Sequence, residues 1–112
     1  MNDLDRNTFR DIHSGILSGR RDQAIARAAG AKVNVVRAAR RKLESVGVDA
    51  QTELFTTPQA AAVLGLTDSL VRRYCRDGYL VAKKWGTQHQ IAKTDLLEFL
   101  AEGGLRPKYE RA

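Results

Sequence analysis

The chain has 112 residues and a formal net charge of +6, with 43% hydrophobic and 29% charged residues; this is enough for one ordinary domain or two very small ones, each with apolar material for a core. The single cysteine, Cys75, excludes an intrachain disulfide, no apolar run reaches membrane-spanning length, and residues 1–6 lack the apolar centre of a secretory signal, so a cytoplasmic protein without a membrane partner is expected. The basic excess favours a polyanionic partner without establishing one.

Phe9, Ile12, Ile16 and Leu17 recur at helical spacing and predict a helix over about 4–18, ended by Ser18-Gly19. Asp22 is the expected N-cap of a short helix over about 23–29, which Gly30 stops. The next helix is expected over about 33–46, with Val36, Ala39, Leu43 and Val46 as its apolar stripe and Gly47 as its end. These helices make a first unit, residues 1–47, and residues 48–53 read as a linker because they carry no helical period. A second unit over 54–102 opens with a helix at about 58–64, capped by Thr57 with Pro58 directly after it. Thr67 caps a helix over about 68–77, and Gly78 stops it. Residues 80–84 and 89–92 read as short strands joined through Trp85-Gly86-Thr87-Gln88. Thr94 is the expected cap of a last helix whose apolar residues are Leu96, Leu97, Phe99 and Leu100; Gly103-Gly104 breaks it, and residues 103–112 read as a polar tail.

One pattern, Ala-x3-Gly-x5-Val, occurs twice: Ala26, Gly30, Val36 and then Ala61, Gly65, Val71. This is the skeleton of a helix-turn-helix. A small residue in the first helix lets the second approach, glycine permits the turn, and a β-branched residue in the second helix packs back on the first. The expected fold class is mainly α: an N-terminal three-helix helix-turn-helix unit, followed by a winged helix-turn-helix with a small β-hairpin.

From Leu54 to Leu100 the chain resembles the excisionase-like and MerR-like winged-helix DNA-binding domains. Residues 56–66, Thr-Thr-Pro-Gln-Ala-Ala-Ala-Val-Leu-Gly-Leu, look like that family's first helix and turn, and residues 71–78, Val-Arg-Arg-Tyr-Cys-Arg-Asp-Gly, look like its second helix and stop. Lys83-Lys84-Trp85-Gly86 looks like the wing, and Asp95-Leu96-Leu97-Glu98-Phe99-Leu100 like the closing helix. The resemblance implies a helix in the major groove with a wing beside it on the backbone or minor groove. One departure concerns the two basic residues the family often has after the wing glycine: Thr87 and Gln88 stand there, so the wing charge sits on Lys83 and Lys84. No long heptad segment follows, so the dimerising coiled coil and effector site of full MerR-type regulators are not expected.

With Val71 turned inward, Tyr74 and Cys75 share its side, while Asp68, Ser69, Arg72, Arg73 and Arg76 face out. Arginine can read guanine O6 and N7 with two parallel hydrogen bonds or clamp a phosphate. With Val36 inward, Lys32, Asn34, Arg37 and Arg41 face out, and asparagine can pair with adenine. The basic run Arg40-Arg41-Lys42 also suits a helix C-terminus on dipole grounds alone, and the first unit could serve assembly instead of DNA contact. The expected DNA-contacting set is Lys32, Asn34, Arg37 and Arg41 from the first unit, Ser69, Arg72, Arg73 and Arg76 from the second, and Lys83, Lys84 and Gln88 from the wing.

Cys75 is expected inside beside Val71, and Trp85 as an anchor at the base of the wing, with stacking on sugar or base as its alternative role. His13 and His89 lack partners at metal-ligand spacing, no catalytic constellation or phosphate loop is visible, and no cofactor or enzyme activity is expected. The expected function is sequence-specific binding of double-stranded DNA by a nucleoid-associated bacterial or phage transcription regulator, acting alone or as a homodimer or cooperative oligomer. An excisionase, a DNA-packaging subunit like the small terminase subunits, and a protein-interaction module are the alternatives.

Overall fold

Apolar residues at helical spacing build α1 (Arg6–Leu17), α2 (Asp22–Ala29) and α3 (Val33–Glu44), which bury Ile12, Ile16, Leu17, Ile25, Ala26, Val36 and Leu43 against one another. The computed structural model describes residues 6–102, and the chain divides into two compact units, Met1–Thr52 and Glu53–Ala112. The start of the expected first helix and the expected tail, residues 103–112, lie outside the described residues. No described helix is long and apolar enough to cross a membrane.

Two details of the first unit differ from expectation. The N-cap of α2 is Arg21, and Asp22 is the first helical residue. The Asp22 carboxylate is engaged elsewhere: its Oδ1 accepts from Arg40 Nε at 2.7 Å and forms an ion pair with Arg40 Nη2 at 2.7 Å. Second, α3 ends at Glu44, so Val46 is 41% exposed, and Val48 enters the core in its place with its amide donating to the Leu43 carbonyl at 2.9 Å. Residues 48–53 carry local hydrogen bonds. The Asp49 amide donates to Thr52 Oγ1 at 3.0 Å, the Gln51 amide to Asp49 Oδ1 at 2.8 Å, and the Glu53 carbonyl accepts from the Lys93 amide at 2.8 Å within the second unit.

The second unit contains β1 (Leu54–Phe55), α4 (Thr57–Leu64), α5 (Asp68–Arg76), β2 (Lys83–Trp85), β3 (Gln88–Ala92) and α6 (Lys93–Ala101). The strands form an antiparallel sheet in the order β1-β3-β2. α4 packs on α5, β1 and β3, α6 packs on β3, and Phe55, Ala60, Val63, Val71, Leu80, Ile91 and Leu96 make the core. Strand β1 has no counterpart among the expected elements, since two residues are too few to show a period. The hairpin is shorter than 80–84 with 89–92. Leu80 belongs to the core, Trp85 pairs with Gln88, and Gly86-Thr87 alone make the turn.

Capping also shifts. The N-cap of α4 is Thr56, whose Oγ1 accepts from the Gln59 amide at 3.3 Å while Gln59 Oε1 accepts from the Thr56 amide at 3.0 Å. Thr57 is helical and buried. Thr67 caps α5 as expected, accepting from the Leu70 amide at 3.2 Å. Thr94 lies inside α6; Ala92 is that helix's N-cap and makes no side-chain cap, because β3 runs directly into the helix.

Both helix pairs follow the same local path, displaced by 35 positions: α2 and α4 start at 22 and 57, α3 and α5 at 33 and 68. Gly30 (φ 69°, ψ 33°) and Gly65 (φ 70°, ψ 33°) hold the turn in a left-handed conformation that other residues enter at a cost of about 1 kcal/mol or more, and their amides donate to the Ala26 and Ala61 carbonyls. Val36 and Val71 are fully buried behind them.

Candidate nucleic-acid interface

Helix α5 turns Val71 into the core and presents Ser69, Arg72, Arg73 and Arg76 to solvent on its other side. Its inner side is held by Tyr74, whose ring lies 5.9 Å from Phe99 and 5.8 Å from Tyr79 between centroids. Thr67, Ser69, Leu70, Arg72, Arg73 and Arg76 line one open depression on the outer side. The arginines are not equally available. Arg72 Nη2 is 3.0 Å from Asp68 Oδ2 and Arg76 Nε is 3.6 Å from Asp77 Oδ1, while Arg73 makes no ion pair among the described residues. Both pairs are solvent-exposed, so exchanging either carboxylate for a phosphate or a base edge costs little. Cys75 is half-buried rather than enclosed, and burial pushes its thiol up to about 11, which leaves it protonated at neutral pH.

Helix α3 exposes Lys32, at its N-cap, and Asn34, Arg37, Arg41 and Lys42 along its outer face. The 35-residue displacement aligns Asn34 with Ser69, Arg37 with Arg72, and Arg41 with Arg76; Ala38 stands opposite Arg73. Arg40 separates from its basic neighbours. It is half-buried, bound to Asp22, and its Nη2 donates to the Arg20 carbonyl at 3.0 Å. Arg37 stays exposed, with Nε 3.8 Å from Asp22 Oδ2. The Asp22 tie was not legible as such; its only signal was an acidic residue at a helix start with basic residues in the next helix.

The hairpin exposes Lys83, Lys84 and Gln88. Trp85, expected as an anchor, is 64% exposed instead, because its register with Gln88 puts it on the face of the hairpin opposite the buried Ile91. His89 is half-buried opposite Lys84. His13 is buried and stacked on Phe9, its Nδ1 donating to the Phe9 carbonyl at 2.9 Å. No cluster of metal-ligating side chains occurs among the described residues.

The face of α5, the turn before it and the hairpin after it have the layout by which helix-turn-helix domains meet DNA. Neither the curated proteins nor the solved structures give a match to the chain. The family model described as a helix-turn-helix domain matches residues 54–104, the stretch that runs from β1 through α6, and this part of the chain is similar to that family.

Proposed function

We propose that the protein binds double-stranded DNA sequence-specifically as a bacterial or phage transcription regulator, with α5 as the major-groove helix and the β2–β3 hairpin as its wing. The observation that carries this reading is the face of Ser69, Arg72, Arg73 and Arg76 on a helix capped, turned and buried as a helix-turn-helix requires. Arginines there can read guanine, whereas Lys83, Lys84 and Gln88 on the hairpin suit phosphate contact, which positions without specifying sequence. Lys32, Asn34, Arg37 and Arg41 form a second reading face on α3. Its support is the alignment of Arg37 and Arg41 with Arg72 and Arg76 in the repeated helix–turn–helix path.

The test is binding and footprinting of the full chain on the DNA upstream of its own coding sequence. Neutralising about six phosphates gives a log K against log salt slope near −5. Arg72→Ala or Arg73→Ala should weaken specific binding by about 1–3 kcal/mol and random-sequence binding much less. Lys83→Ala should weaken both alike. No complex at low salt refutes the reading; equal losses on both DNAs move the arginines to the backbone. Inverted half-sites favour the regulator, and adjacent direct repeats with bending favour an excisionase.

A further inference from the structure

The hairpin carries the one exposed aromatic side chain among the described residues. Trp85 is 64% exposed and has no ring or hydrogen-bond partner among them. The register pairs Lys83 with Gln90, Lys84 with His89 and Trp85 with Gln88. Side chains alternate along strands, so Lys83, Trp85, Gln88 and Gln90 share one face. His89 and Ile91 take the other, and Ile91 is fully buried. Trp85 is therefore turned away from the core, beside the turn. A hairpin that needed only to close would be served there by threonine or valine. Exposed Lys83, not ion-paired among the described residues, stands two positions before the indole on the same face, while Lys84 shares the face of His89. A surface that complements this arrangement is flat and apolar, lies beside anions, and offers acceptors to an indole N–H. Nucleotides have that combination: base and sugar faces between phosphates.

We infer that Trp85 is a DNA wedge, which seats its indole against the sugars and base edges of the groove the hairpin enters while Lys83, on the same face, holds a neighbouring phosphate. The inference rests on the DNA-binding reading above and adds an apolar contact to it. Indole stacking contributes affinity without charge, so it persists at salt concentrations that strip lysine from phosphate.

Trp85 is the chain's single tryptophan, so its emission reports on this position alone. The full chain is titrated at low salt with an end-labelled mixed-sequence DNA duplex, following label anisotropy and tryptophan emission together. The expected result is quenched emission and loss of acrylamide accessibility in step with binding. Trp85→Ala should bind roughly tenfold more weakly with an unchanged salt slope, and Trp85→Phe should recover most of that loss. Lys83→Ala should instead make the slope shallower. The wild-type melting temperature is retained in Trp85→Ala, because the ring supports nothing beneath it. A complex seen by anisotropy with unaltered emission, or Trp85→Ala binding as wild type, overturns the wedge and leaves the DNA reading intact. Emission that shifts with protein concentration alone assigns the indole to a second copy of the chain and also overturns it. Absence of any complex overturns both readings.

Discussion

Replacing Asp22 with alanine should change stability and DNA binding in opposite directions. The Asp22 carboxylate accepts from Arg40 at 2.7 Å, and both side chains are only about a quarter exposed. Breaking a buried pair costs about 3–5 kcal/mol and an exposed one about 0–1; with Arg40 still bonded to the Arg20 carbonyl, this loss falls between them, at about 2 kcal/mol. The lost negative charge at the start of α2 adds up to about 1 kcal/mol. In a unit this small, each kcal/mol moves the midpoint by about 4–8 °C, so melting should fall by about 10 °C or more. The same carboxylate lies 3.8 Å from Arg37, where two unit charges interact by about 1 kcal/mol in water, and salt screens part of that. Freed of it, Arg37 should bind phosphate or base more readily, and DNA affinity should rise about two- to fivefold. Thermal melts by circular dichroism give the first quantity; anisotropy of a labelled duplex, read well below the melting point, gives the second. A folded variant with unchanged or weaker binding refutes DNA contact by α3. An unchanged melting point refutes the structural role of the tie.

Two further outcomes concern the first unit. A Cβ on Gly15 would sit 2.8 Å from Ile25 Cγ1 and 3.3 Å from Cγ2, atoms that a β-branched side chain cannot swing aside. Overpacking of about 1–3 kcal/mol then exceeds the helix-propensity gain of about 1 kcal/mol. Gly15→Ala should therefore destabilise the wild type in urea titrations yet stabilise Ile25→Ala, and the same sign in both backgrounds would refute the close approach. Burial holds the His13 imidazole below its ordinary value of 6.5, with the Phe9 carbonyl opposing that shift and Lys42 adding to it. The unfolded chain thus takes up this proton first. Stability should be full above pH 6.5 and fall as the pH drops through it, by up to about 1.4 kcal/mol per pH unit, until the folded form also protonates. His13→Gln should flatten that part of a melting profile taken between about pH 5 and 8; an identical slope would refute the assignment.

What the chain states locally was legible from its order of residues. The two glycine turns, the inward positions Val36 and Val71, the Thr67 cap and the outward arginines of α5 all follow from periodicity and residue type within about ten positions. Tertiary structure decided what depends on distant partners. Thr57, expected as the cap from its place before Pro58, is instead inside the helix, and the cap is Thr56, the residue directly after β1, whose Phe55 pairs with Ile91. Val48 rather than Val46 completes the first core because α3 stops at Glu44 and the chain turns before Val48 reaches it. Asp22 and Arg40 meet across 18 positions, and a carboxylate finds its cation by packing, not by spacing. Trp85 lies outside because of strand register: read as an anchor at the base of the wing, it pairs with Gln88 and so faces away from the buried Ile91, and only the pairing of β2 with β3 reveals this.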